Sequence, residues 1–176
     1  MEASMDPHQP SQESWEAKFS RRSRHQIAIR WEGSPQTSLD RRFSRLHHWQ
    51  WDQAPSLPAS SSHLVIPPPW SDPKAIDPEL AMVGAIASCH MMSFLWVARH
   101  VPWKVISYSD RAEGVLTKDS EGRPWLSDIR LAPEVGFDGP SPDATALKSL
   151  HQEAHHECYI ARSIRSRIWL FDHPLE

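Results

Sequence analysis

The chain holds two cysteines among its 176 residues, and they sit in unlike surroundings. Cys89 lies inside the apolar run AIASCHMMSF, and Cys158 lies in the polar stretch EAHHECYIARS. Such thiols can pack inertly, bind a metal or work as a redox pair. Inert packing is the commonest fate of a buried free cysteine. Reactivity requires a thiolate, and an apolar pocket raises a thiol's pKa unless a cation stands nearby. The run around Cys89 offers no cation. The segment DRRFSRLHH does, with Arg41, Arg42 and Arg45. A guanidinium stays charged when partly buried and makes several directed hydrogen bonds. Glu79 is a carboxylate that could orient such an arginine. On a helix it would sit about 80° around and about 15 Å along from Cys89, facing the same cleft without touching the sulfur. The plain alternative for DRRFSRLHH is a solvated strand edge.

Metal binding is the rival chemistry. HQEAHHEC spaces His151, His155 and Cys158 on one helix face, as zinc ligands require, with Cys89 or His90 as a fourth donor. With 11 histidines in the chain, chance pairs of this kind are common, and no metal site is assigned.

The elements that must carry these residues follow from patterning. The length suits one domain with a real core. The net charge of −3 gives no concentrated basic face for nucleic acid. Two cysteines do not make a disulfide scaffold, so they read as cytosolic thiols whose pairing would be transient. The opening MEASMDPHQPSQESWEAK has neither a basic n-region nor an apolar h-region, so no secretory leader is expected and a cytoplasmic location is. Only 6 glycines and no glycine-rich phosphate loop are present, and no cofactor is expected.

Residues 1–24 are polar and aperiodic and read as a mobile tail, leaving 25–176 as a single domain. HQIAIRWEG alternates, with Ile27, Ile29 and Trp31 on one strand face. RRFSRLHHWQWD reads as one or two strands. Residues 54–74, rich in Pro and Ser, read as an irregular extended loop. A long helix opens at Asp77 as N-cap with Pro78 first, and runs to about His100. Its stretch Leu80–Ala98 nears membrane-spanning length. The polar cluster Ser88, Cys89, His90 and Ser93 at its middle argues against lipid. A helix apolar nearly all round is buried on all sides. A chain this small can hardly wrap it alone, and a dimer would. Two or three strands follow, with a hairpin turn near Ser120–Glu121–Gly122, then a second helix capped by Ser141 and running to about Cys158. A strand in SRIWLF closes an α+β order.

Taken together, DPELAMVGAIASCHMMSFLWVA, SYSDRAEGVLTKDSEGRPWLSDIRLAPEV and LHQEAHHECYIARSI resemble the OsmC/Ohr family, the osmotically inducible and organic hydroperoxide resistance proteins. The resemblance covers about residues 25–171. SCH, FSRLHHW and WSDPKAIDPE look most like its OsmC-like branch. It implies an α+β fold with strands packed on a long buried central helix, and an intertwined homodimer. It also implies a thiol-dependent peroxidase, with Cys89 peroxidatic, Cys158 resolving, and Glu79 positioning an arginine that activates the thiolate. FSRLHH points to Arg45, with Arg42 three residues away as the other choice. The implied partners are an organic hydroperoxide and an external dithiol, which the resemblance suggests is of lipoyl type, with no nucleic acid or membrane. Met91, Met92, Phe94, Trp96 and Trp70 would suit an alkyl or lipid hydroperoxide, or are simply core. Arg162 and Leu46 depart from the residues often found in relatives. The alternative is a non-catalytic dimer that binds a small ligand or senses redox state.

Overall fold

The structure, a computed structural model, describes residues 23–33 and 43–175. The tail expected over 1–24 falls outside the described residues up to position 22, as do Arg41 and Arg42.

Helix α1 (Pro78–Ala98) begins where the sequence signals it. The Asp77 carboxylate accepts the Leu80 N–H at 2.7 Å, Pro78 fills the first position, and Glu79 lies at the positive helix start. Helix α2 (Ala144–Glu157) begins two residues later than expected. Asp143, not Ser141, is its cap, accepting the Ala146 N–H at 2.8 Å. A carboxylate in that position satisfies an orphan donor and also meets the positive end of the helix dipole.

Among the described residues the strands form three sheets. The first holds β1 (Ala28–Arg30), β2 (His47–Gln50) and β3 (Leu57–Ala59) in that order, all antiparallel. Here the loop expected over 54–74 is corrected, because Leu57–Ala59 pairs with β2, and Ser60 and Ile76 continue the backbone bonding. Pro58 is tolerated because β3 is an edge strand. The second sheet pairs β4 (Lys104–Asp110) with β7 (Pro133–Asp138). The third runs β5 (Glu113–Lys118), β6 (Pro124–Leu131), β8 (Arg167–Leu170) and β9 (His173–Pro174), with β6 and β8 parallel. The stretch 104–138 thus forms four strands rather than two or three. The expected hairpin turn is present: Asp119 Oδ1 accepts the Glu121 and Arg123 N–H groups, and Gly122 takes the left-handed φ of 77°.

Two apolar clusters hold α1. Val83 and Ile86 pack with Ile129, Leu131, Ile168 and Leu170 of the third sheet. Phe94 and Ala98 pack with Leu150 and Ala154 of α2. Strand β5 crosses α1 so closely that a Cβ at Gly114 would lie 2.6 Å from Val83 Cγ2, which is why AEG carries glycine there. The all-round apolarity of α1 has a direct consequence. One side is buried, while Leu80, Met92, Leu95 and Trp96 on it remain exposed. By length and composition alone α1 could also cross a membrane.

Candidate active site

The two cysteines, far apart in sequence, meet where α1 and α2 pack. Cys89 lies on the middle of α1 and is buried. Cys158 caps the end of α2, where the chain leaves helical geometry, and has no exposed surface. Both are free thiols, and they are close enough to hydrogen-bond each other. The Cys158 thiol is pushed up to about 11, first by burial and then by the hydrogen bond with Cys89. The Ala161 N–H, 3.4 Å from Cys158 Sγ, opposes that rise. Left to itself, this thiol stays protonated at neutral pH.

The thiols do not lie in a closed core. A cleft of about 280 Å³ opens beside Cys89, lined by Met92, Ser93, Trp96, Glu157 and Tyr159. Its walls are apolar and aromatic, with one carboxylate. Of the apolar residues named from sequence, Met92 and Trp96 line this cleft and Phe94 is fully buried core. Larger hollows elsewhere, such as that between Arg30, His48 and Gln50 on the first sheet, contain neither thiol.

The other expected site residues are placed differently. Glu79 sits at the start of α1, away from the cleft, with its Oε2 buried and lacking a hydrogen-bond partner among the described residues. Arg45 precedes β2. Among the described residues its guanidinium donates to the Phe43 carbonyl at 2.7 Å and lies over the Phe43 ring at 4.1 Å. No bond joins it to Glu79 or to a thiol among those residues. Arg162, in the single 3-10 turn Ala161–Ser163, donates its backbone N–H to the Cys158 carbonyl at 3.2 Å and keeps an exposed side chain.

Two of the histidines weighed as zinc donors, His90 and His151, bond to each other. His151 Nδ1 and His90 Nε2 are 3.0 Å apart, a buried hydrogen bond between the two helices. The rings are nearly parallel, at 9°, and Phe94 packs on His151 at 4.4 Å between centroids. Burial lowers His90 to about 3, with the charges of His151 and His155 adding to it, and lowers His151 to about 4. Both are therefore neutral, so one ring donates and the other accepts. Breaking such a bond leaves a buried nitrogen unsatisfied, at about 1–3 kcal/mol. Among the described residues no three metal-ligating side chains converge. The pair was not legible as a pair. Only its parts were marked, His151 by its spacing to His155 and His90 by its place beside Cys89.

This geometry defines an α+β protein with two helices that bring a cysteine pair to one cleft. The sequence matches the family model described as OsmC-like protein over residues 71–170, more than half the chain, and the protein belongs to the OsmC-like family. Among solved structures it is similar to an OsmC-like protein of unknown function from Vibrio cholerae. That match has 36% identity and a TM-score of 0.79, and covers 84% of this chain and 97% of the other. It shares its fold with an organic hydroperoxide resistance protein from Elizabethkingia anophelis, at 14% identity and a TM-score of 0.61, covering 84% and 94%. It also shares it with the organic hydroperoxide resistance protein OhrB of Bacillus subtilis, at 14% identity and a TM-score of 0.55, covering 84% and 96%. No curated protein sequence matches the chain.

Proposed function

We propose that this protein is a thiol peroxidase that reduces organic hydroperoxides, with Cys89 as the attacking thiolate and Cys158 as its resolving partner. The observation that carries the reading is the meeting of the chain's two cysteines beside an apolar cleft. The Cys89 thiolate attacks the distal peroxide oxygen, the O–O bond breaks, and the alcohol leaves after taking a proton. The resulting sulfenic acid condenses with the Cys158 thiol to form a disulfide and release water. An external dithiol, of lipoyl type by family likeness, reduces that disulfide by exchange and is itself oxidised. Cys89, on the cleft wall, is the thiol that meets peroxide first, and Cys158, wholly buried behind it, is suited to resolution.

Among the described residues no arginine bonds to either thiol, and a thiolate in such surroundings needs a cation. We infer that a second copy completes the site. It would cover the exposed side of α1 and bring an arginine, Arg45 by sequence, toward the Glu79 carboxylate, whose Oε2 has no partner among the described residues. Two thiols that must return to the reduced state fit a cytoplasmic location. A non-catalytic dimer that binds a small ligand or senses redox state is the second reading, and the ligand-binding form of it is favoured by the open cleft beside Cys89 together with a Cys158 thiol that burial holds protonated.

The test is consumption of cumene hydroperoxide by the purified full chain with a dithiol, comparing wild type with Cys89→Ser and Cys158→Ser. The reading expects turnover by wild type, none by Cys89→Ser, and about one equivalent consumed by Cys158→Ser before it stalls. Absence of peroxide consumption by wild type with both thiols free would leave the sensing or binding dimer.

A further inference from the structure

The peroxidase scheme uses neither imidazole of the buried pair. We propose that His90 and His151 form a positioning pair: their hydrogen bond sets α2 against α1 so that Cys158 is held opposite Cys89, ready to close the disulfide. The inference rests on reading the two cysteines as a working pair.

Three features of the geometry support it. Cys158 is the cap residue of α2, at φ −76° and ψ 97°, and so hangs from the end of a helix rather than inside one. His151 is seven residues earlier, on the same face and about 10 Å back along the axis. On α1, His90 directly follows Cys89. The same two helices therefore meet at two neighbouring points, the hydrogen bond between the imidazoles and the pair of free thiols. The remaining contact between them is apolar: Phe94 and Ala98 against Leu150 and Ala154. Apolar contact is non-directional and tolerates small slides, whereas a hydrogen bond weakens steeply when misaligned. Phe94, packed on His151, holds the ring in the plane that the bond needs. A buried polar contact that fixes register at the cost of stability is a known use of such groups.

The experiment equilibrates the full-length protein with reduced and oxidised glutathione. Cys89 and Cys158 give two electrons and two protons to glutathione disulfide, forming their own disulfide and two reduced glutathiones. The readout is the equilibrium constant, an effective concentration of one thiol at the other. His151→Leu removes the bond, and His151→Asn keeps an amide group near the place of Nδ1. The constant is expected to fall by about tenfold or more in His151→Leu and to stay within about threefold of wild type in His151→Asn. An unchanged constant in His151→Leu, even with a lower melting temperature, overturns the proposal and leaves the pair merely structural. If His151→Leu does not fold, His90→Met against His90→Gln makes the same comparison from the other helix: a fall in His90→Met alone supports the proposal, and an unchanged constant overturns it. Should wild type itself form no Cys89–Cys158 disulfide, the thiol-pair reading fails, and this inference with it.

Discussion

The helix pair and the first sheet are built on opposite terms. Between α1 and α2 the packing is close: Phe94, Ala154 and Cys158 have no exposed surface, and the two deepest imidazoles bond to each other, leaving only His90 Nδ1 buried without a partner among the described residues. On the sheet of β1, β2 and β3 it is not. Ile29 is 54% exposed and Trp31 47%, although both stand on the face that alternation marks as apolar. A contiguous exposed apolar face is the kind of surface on which partners dock. The contrast teaches that one chain's own packing brings the thiol pair together, while on the first sheet apolar side chains stay exposed. Arg45 lies at the sheet, and Glu79 waits at the head of α1.

The comparison can be broken at several points, the strongest in the helix pair. Phe94→Ala should lower unfolding free energy by about 3–5 kcal/mol in urea titration, since it empties a fully buried ring site that also supports His151. A loss below about 1 kcal/mol would mean that this region is looser than its burial suggests.

Acid should act on the same region. His90 and His151 have folded pKa values near 3 and 4, below the ordinary 6.5. Between those values the unfolded chain binds protons that the folded chain refuses, so stability falls as pH drops below about 6.5. At pH 5 the loss is about 2 kcal/mol for each imidazole. Denaturation at pH 7.5 and pH 5 measures it, and the double variant His90→Gln with His151→Asn should flatten that dependence.

Gly114→Ala should cost about 1–3 kcal/mol, because the new methyl would drive into Val83 and Leu126 where β5 crosses α1. Thermal melting reads that loss. Smallest in folding terms is Ile29→Glu, at about 0.5 kcal/mol or less for the chain alone. Its expected effect is elsewhere: sedimentation should show the wild-type dimer giving way to monomer, with peroxidase turnover lost alongside. If Ile29→Glu leaves both association and turnover intact, the sheet face is not the interface, and the comparison between the two regions loses its meaning.

Much of this was readable before any fold was known. Asp77–Pro78–Glu79 marks the start of α1 because a helix end must satisfy its own N–H groups locally. The turn at Gly122 is an equally local matter of backbone conformation, whereas the near-uniform apolarity of α1 did not mark which face would be core. The cap of α2 was misplaced by two residues because Ser141, Pro142 and Asp143 are all good helix-start residues. The carboxylate that reaches the Ala146 N–H decides among them. Strand Leu57–Ala59 was missed because its stability comes from pairing with β2, not from its own Pro-rich composition.

Sequence alone determined the α+β order, the two helices with their cysteines, and the residues able to do thiol chemistry, since each depends on short-range patterning. Tertiary structure alone decided which side chains meet. It brought Cys89 to Cys158 and paired His90 with His151. It also left Glu79 Oε2 without a partner among the described residues and apolar side chains of the first sheet exposed. Burial and long-range contact are properties of the packed chain, and no window of residues contains them.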